Sequence, residues 1–242
     1  TTQLTRLSTT TLTSLGATQL GALNETQIAS LAATQIAAFS TDNVAALTEN
    51  QVAALTTTQI KSLSTTNFSA LEASQVAALT TTQLAVLTST QAAALTETDI
   101  GEFSAEQVGA FTTTVLSRLS TEAAVALDSA QVAELTTTQV QSLTTTQLAA
   151  LEAADVGEFS ETQIASLTAT QVRALSTTAV AALADTQIAA LTNAQIQSLS
   201  STSLHDLDAT QVGAMSTTQV RAITTAQIQA LDSDDVQEFT TD

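Results

Sequence analysis

Apolar residues recur along the chain in two interleaved series, and each series has a period of eight residues. One series runs from Leu4 to Val236 and the other from Leu7 to Phe239, with 30 members each. All 60 positions are apolar, without an insertion or deletion. A period this strict predicts one continuous repeat array over residues 1–242, in which about 30 equivalent octads stack on one another.

The polar positions predict that a new helix begins in every octad. The residue after each member of the second series is Ser, Thr, Asp, Asn or Gly in 26 of 30 octads, and these types are the preferred N-caps of α-helices. Gln occupies the third position after the cap in 20 of 30 octads. Ser or Thr followed by Gln at that spacing is a capping box, in which each side chain satisfies a free backbone N–H group of the first turn. The four caps of other types are Ala32, Glu72, Glu152 and Ala184.

The charged residues also occupy particular positions within the eight-residue repeat. Of the 23 acidic residues, 18 lie on the cap or the next three positions, where the helix dipole is positive. All five basic residues lie on the last two positions before the second apolar series, where the dipole is negative. These basic residues are Arg6, Lys61, Arg118, Arg173 and Arg221.

We therefore predict an all-α fold, a solenoid of very short capped helices, one per octad, wound into a superhelix. A single long helix is excluded because an eight-residue period drifts about 80° around a helix in each repeat. A β-solenoid is the alternative, since Thr, Val and Ile favour strands. Against it, the apolar spacings of three and five residues are odd, which would place the two series on opposite faces of a strand. Ala, the best helix former, dominates the two positions before the second series.

Two features of the array stay open in the sequence. No period longer than eight residues is visible, so the number of helices per superhelical turn is not determined. Five of the six glycines occupy the position after the first apolar series. They indicate either a close approach of another backbone or a position that simply tolerates small residues. These glycines are Gly21, Gly101, Gly109, Gly157 and Gly213.

Composition restricts the classes of partner. Five Lys and Arg against 23 Asp and Glu give a formal net charge of −18, which disfavours nucleic acid and anionic membrane surfaces. There is no Cys, so thiolate chemistry and disulfides are excluded. No apolar run is long enough to cross a membrane, and no membrane insertion is expected. The chain starts and stops inside an octad, so we expect it to be an excerpt of a longer array.

One acidic pattern is a candidate cation site. Asp and Glu lie three residues apart in three octads, on one side of the predicted helix, where the two carboxylates of a pair could share a calcium ion. Calcium takes roughly six to eight oxygen ligands, so a solvated acidic pair is the simpler interpretation. The pairs are Asp99 and Glu102, Asp155 and Glu158, and Asp235 and Glu238.

Other chemistry is sparse. His205 is the single histidine and is followed by Asp206, but a hydrolytic triad also needs a positioned nucleophile and an oxyanion hole. We expect neither a cofactor nor enzymatic activity. Asn24-Glu-Thr and Asn67-Phe-Ser match the N-glycosylation pattern, although a chain this rich in Thr and Ser produces such matches by chance.

The phrase L-[ST]-T-T-Q-[IV]-A-A resembles the octapeptide arrays of large bacterial surface or secreted proteins that are often labelled adhesins. The resemblance implies an extracellular structural role. We predict a rod, stalk or self-assembling filament at the cell surface or outside the cell, with copies of the same chain as partners, head-to-tail or side by side. The alternative is a binding module, an adhesin whose edge of Thr and acidic residues contacts ice, a glycan or calcium.

Overall fold

The computed structural model describes residues 3–233, and it is all-helical over that range. The chain forms two compact units, Thr1–Ala126 and Leu127–Asp242. The described residues contain 28 α-helices of four to six residues each and no β-strand. The prediction of short helices is therefore confirmed, and the β-solenoid alternative is wrong.

Each described octad after the first supplies one α-helix. The first unit starts with a 3-10 helix, Leu4–Arg6. Its α-helices are α1 Thr9–Thr13, α2 Ala17–Gly21, α3 Glu25–Ala29, α4 Ala33–Ala37, α5 Thr41–Ala45, α6 Glu49–Ala54, α7 Thr57–Ser62, α8 Thr65–Phe68, α9 Ala73–Ala77, α10 Thr81–Leu84, α11 Ser89–Ala94, α12 Glu97–Glu102, α13 Ala105–Gly109, α14 Thr113–Leu116 and α15 Thr121–Val125. The second unit contains α16 Ser129–Ala133, α17 Thr137–Val140, α18 Thr145–Ala149, α19 Ala153–Val156, α20 Glu161–Ser166, α21 Ala169–Ala174, α22 Thr177–Ala181, α23 Asp185–Ala190, α24 Asn193–Ser198, α25 Ser201–His205, α26 Ala209–Gly213, α27 Thr217–Ala222 and α28 Thr225–Ile228.

The helices begin where the cap residues are. In α7 the hydroxyl of Thr56 accepts a hydrogen bond from the Gln59 backbone N–H at 3.2 Å, and Gln59 Oε1 accepts one from the Thr56 backbone N–H at 2.7 Å. This is the reciprocal capping box that the sequence predicts. At Ala184 only the second half remains, with the Ala184 N–H donating to Gln187 Oε1 at 2.7 Å. An octad without a side-chain acceptor on its cap thus still forms a helix.

Helix α7 ends where two consecutive residues are extended. Leu63 closes α7 with φ −60° and ψ 134°, and Ser64, the next cap, has φ −63° and ψ 159°. This pair turns the chain into the following helix without a left-handed residue, and within residues 3–233 no residue has a positive φ. The solenoid corner therefore needs no glycine, which agrees with the low glycine content of six in 242 residues.

The structure supplies the superhelical turn that the sequence leaves open. Within each unit, helices pack against the helix three places earlier, as α6 does on α3 in the first unit and α24 on α21 in the second. Side-chain amides bond to backbone carbonyls 28 and 31 residues earlier. One turn therefore contains about 28 residues, which is three and a half octads.

The two apolar series form the core of each unit. Ile60 of the first series is fully buried, and Leu63 of the second is 4% exposed. Phe103 and Phe111 of neighbouring octads pack edge to face, with ring centroids 5.3 Å apart. A close backbone approach at the glycines is wrong for Gly21 and Gly101, because a Cβ atom at either position would meet nothing within 4 Å. The same holds for Gly213.

Candidate functional site

Within each compact unit, a row of buried glutamine side chains joins turns of the superhelix to the turns before them. In the first unit, every one of these side chains donates from Nε2 to the backbone carbonyl of the second-series Leu that lies 28 residues earlier. We call this set the glutamine ladder. Its members in the first unit are Gln35, Gln51, Gln59, Gln75, Gln83, Gln91 and Gln107.

Gln83 shows how the amide is used. Its Nε2 donates to the carbonyl of Leu55 at 2.7 Å and to that of Val52 at 2.9 Å, one turn earlier. Its Oε1 accepts from the backbone N–H of Thr80 at 2.7 Å and from the Thr80 hydroxyl at 3.1 Å. The side chain is 3% exposed, and its donors and acceptor are all satisfied, as burial of an amide requires. One residue thus caps its own helix and holds the neighbouring turn.

The second unit repeats this arrangement within itself. For example, Gln187 donates to the carbonyls of Val156 at 3.0 Å and Phe159 at 2.6 Å. Each ladder side chain bonds to the residue of the second apolar series that lies 28 residues earlier. The members with both partners in this unit are Gln163, Gln171, Gln187, Gln195, Gln211, Gln219 and Gln227.

In two octads an Asn stands at the ladder position and donates a hydrogen bond to the earlier turn. Asn67 is 5% exposed and donates from Nδ2 to the carbonyl of Phe39 at 2.6 Å, and Asn43 donates to the carbonyl of Leu15 at 3.3 Å. The shorter side chain reaches one carbonyl of the earlier turn. Asn67 belongs to a glycosylation-like triplet, but its buried and bonded amide is inaccessible in the folded chain.

The ladder was missed in the sequence, although a signal for it is present. A capping box accepts Glu as readily as Gln, yet none of the 30 octads has Glu at the third position after the cap. A carboxylate would satisfy the cap N–H but has no N–H to donate to the earlier turn. The absence of Glu at this position is therefore the sequence signal of the hydrogen bond that the Gln amide donates to the earlier turn.

The ladder is thinned in one part of the first unit. Four consecutive octads have Asp99, Gln107, Val115 and Ala123 at the ladder position. Of these four, Gln107 alone donates to the earlier turn, at 2.8 and 2.9 Å. Asp99, Val115 and Ala123 have no side-chain N–H to donate to the earlier turn.

Asp99 and Glu102, a candidate calcium pair, occupy one such gap. Asp99 accepts from the backbone N–H and the hydroxyl of Thr96, both at 2.8 Å, and from the Ser69 hydroxyl at 3.2 Å. Burial raises the pKa of Glu102, and the nearby carboxylates of Asp99 and Glu72 raise it further. The carboxylate of Glu72, in the neighbouring turn, thus acts on the ionisation of Glu102.

The second candidate pair has the same surroundings. Burial, then Asp155, then Asp128 raise the pKa of Glu158. Asp155 accepts from the Glu152 backbone N–H at 2.6 Å. Within residues 3–233 no group of three or more His, Cys, Asp and Glu side chains is arranged to hold a metal ion. The third pair, Asp235 and Glu238, lies outside the described residues.

The remaining candidate sites are His205 and two surface grooves. His205 is exposed at the end of α25, and Asp206 follows as the C-terminal cap. Two open grooves of the first unit run between turns. One is lined by Glu49, Glu72 and neighbouring polar residues, and the other by Lys61 and hydroxyl side chains of later octads.

In the part of the chain that the structure describes, no helix has the length and apolar character to cross a membrane.

Comparison with known proteins points to a repeat family. The family model described as ALTTAQ repeat matches residues 29–57, 50–81 and 204–241. The chain matches no curated protein. The matched segments lie in both compact units, and the same octad continues between them. The three matches indicate a family of repeat arrays.

Proposed function

We propose that this chain is a non-enzymatic structural module that builds a rod, stalk or filament by adding turn to turn. The glutamine ladder carries the proposal. Every ladder side chain bonds to the backbone at the same octad position of the earlier turn, and backbone carbonyls are present in any octad whatever its sequence. A further turn is therefore accepted in the same register wherever it comes from, from the same polypeptide or from a second copy.

The apolar series supports extension in the same way. Ile60 and Leu63, inside the array, are buried. Leu4 and Leu7 occupy equivalent octad positions and are only half-buried, and Ile228 is 54% exposed. Covering such surfaces with another turn removes apolar area from water, which is worth about 25 cal/mol per Å². Stacking of turns is thus favoured by the same contact that stabilises the interior of each unit.

The buried polar groups take part in capping and in the packing of turns. Within the described residues, no buried side-chain nitrogen or oxygen lacks a hydrogen-bond partner. The buried Gln side chains are used for capping and for turn-to-turn bonds, and His205 lies at the surface. The extracellular setting that we propose is supported by the resemblance of the octad to arrays of surface proteins.

Electron microscopy and light scattering of the purified chain test the proposal. We expect elongated particles that grow in length with protein concentration. Ile228→Asp should shorten them by placing a charge on an apolar stacking surface, whereas Gln229→Asp, at the exposed neighbouring position, should not. A chain that stays monomeric at high concentration, without fibres, would contradict the proposal. Thermal hysteresis, glycan binding or a calcium-dependent rise in melting temperature would favour a binding module instead.

A further inference from the structure

The basic residues of the first unit lie in one column of the superhelix. Lys61 follows Arg6 by 55 residues, and Arg118 follows Lys61 by 57. Two turns comprise about 56 residues, since the inter-turn bonds span 28 residues per turn. All three side chains are exposed, and none of them forms an ion pair with another residue in the described range. The three basic residues therefore recur once every two turns of this unit, and none of them is in an ion pair with a described residue.

Hydroxyl groups surround the central cation of this column. An open groove is lined by Lys61 together with Thr88, Ser89, Thr112 and Thr114, and Val86 also lines it. We call these residues the hydroxyl groove. The three octads that supply its polar residues, 56–63, 88–95 and 112–119, contain no Asp or Glu. In a chain with a net charge of −18, this is a surface that carries positive charge.

Carboxylates collect on another side of the same unit. A second groove is lined by Glu49 and Glu72, with Asn50 and Ser74 beside them. Glu72 also lies close enough to Glu102 to perturb its ionisation. Glu49 and Glu72 are exposed. We call the Glu49 and Glu72 groove the acidic groove. It is complementary in charge to the hydroxyl groove.

We propose that the hydroxyl groove of one copy docks laterally against the acidic groove of a second copy. This inference rests on the proposed self-assembling role and names the surface used for side-by-side contact. The partner is a second copy because one molecule carries both halves of the contact, each unpaired within the unit. Two different patches that meet in this way form a heterologous contact, which continues from copy to copy. Each chain can therefore join two neighbours into bundles.

The net charge sets the conditions for this contact. Two copies repel one another through their excess of carboxylates, but charges further apart than about 8 Å are screened at physiological ionic strength. Short-range ion pairs of Lys61 and Arg118 with carboxylates of the second copy then determine whether the lateral contact forms. At about 1 M salt the screening length falls to roughly 3 Å, and these pairs weaken as well.

A pair of variants with equal charge change tests the proposal by sedimentation of the full chain. Lys61→Gln with Arg118→Gln removes two cations from the column, and we expect lateral association to weaken about tenfold, because each exposed pair contributes up to about 1 kcal/mol. Asn50→Asp with Ser74→Asp makes the same change of two charges in the acidic groove, and association should be kept or strengthened. Equal weakening in both variants would mean that net repulsion alone controls association, and would overturn the proposal.

Charge exchange provides a second test. The variant Lys61→Glu with Arg118→Glu and the variant Glu49→Lys with Glu72→Lys should each lose lateral contact on their own. Mixed together, they should associate again, since the second supplies cations where the first now has carboxylates. All four positions are exposed, so circular dichroism is expected to show folded chains in both. Failure of the mixture to associate while the wild type does would contradict the proposed pairing.

The readouts separate this inference from the proposed function. End-to-end stacking buries apolar surface and should persist at high salt, whereas bundling should disappear. Filaments that form but never bundle, or bundles that ignore all four charge variants, overturn the lateral contact and leave the structural role standing. A chain without any association overturns both. Binding of a sulfated polysaccharide through Lys61 and Arg118, with no association of copies, would replace the second copy as the occupant.

Discussion

Replacing Gln83 with Glu separates the two tasks of a ladder residue. The new carboxylate keeps an oxygen for the backbone N–H of Thr80, which now lies 2.7 Å from Gln83 Oε1. It has no N–H for the carbonyls of Leu55 and Val52, which accept from Nε2 at 2.7 and 2.9 Å. The substituted side chain would instead hold its charge against these two oxygens at a position that is 3% exposed.

The cost follows from these contacts. Loss of two hydrogen bonds destabilises by about 1–3 kcal/mol, and an uncompensated buried charge costs about 3–5 kcal/mol when its partner is removed. The carboxyl escapes part of the charge penalty by taking up a proton, so we expect a loss of about 3 kcal/mol at neutral pH. For a chain of this size about 1 kcal/mol lowers the melting temperature by roughly 2–4 °C. The expected decrease is therefore about 6–12 °C.

Gln27 provides the matched control. Its Oε1 accepts from the Asn24 backbone N–H at 2.8 Å, but its Nε2 has no partner among the described residues. Gln27→Glu should change stability by less than about 0.5 kcal/mol. Thermal unfolding followed by circular dichroism compares the two variants, and hydrogen exchange shows whether the loss is confined to neighbouring turns, as expected for a solenoid. Equal melting temperatures for the two variants would refute the ladder as a source of stability.

Three further predictions concern the ladder gap, a cap and the acidic pairs. Asp99→Gln should raise the free energy of unfolding in urea by about 1–2 kcal/mol, because the new amide can donate hydrogen bonds to backbone carbonyls of the earlier turn. A loss of stability would mean that these hydrogen bonds do not form at this position. Ala184→Ser should add about 1 kcal/mol by completing the cap of α23, and an unchanged melting temperature would contradict this. Burial and neighbouring carboxylates raise the pKa of Glu102 and Glu158 in the folded chain. Folding therefore favours their protonated forms, and the melting temperature should rise as the pH falls from neutral to about 5; a decrease over that range would contradict the assignment.

The local structure was available in the sequence because short-range bonds determine it. Thr56 and Gln59 are three residues apart, and their capping box depends on nothing outside α7 and its cap. The two apolar series likewise determined which side chains are buried, as Ile60 and Leu63 show. The acidic pair Asp99 and Glu102 was recognised from its spacing, but the effect of Glu72 on the pKa of Glu102 was not, because the two residues belong to different turns.

The sequence by itself determined that each octad forms a capped helix with one apolar face, since caps, helix propensity and the eight-residue period act within one octad. Only the tertiary structure decided that a turn takes about 28 residues, because every octad is equivalent and the packing angle between helices sets where one turn meets the next. That number brings Gln83 onto Leu55 and Lys61 beside Thr88 and Thr112. The length of the turn therefore accounts for the hydrogen bond from each ladder glutamine to the earlier turn. It also accounts for the hydroxyl groove and the acidic groove as separate surfaces.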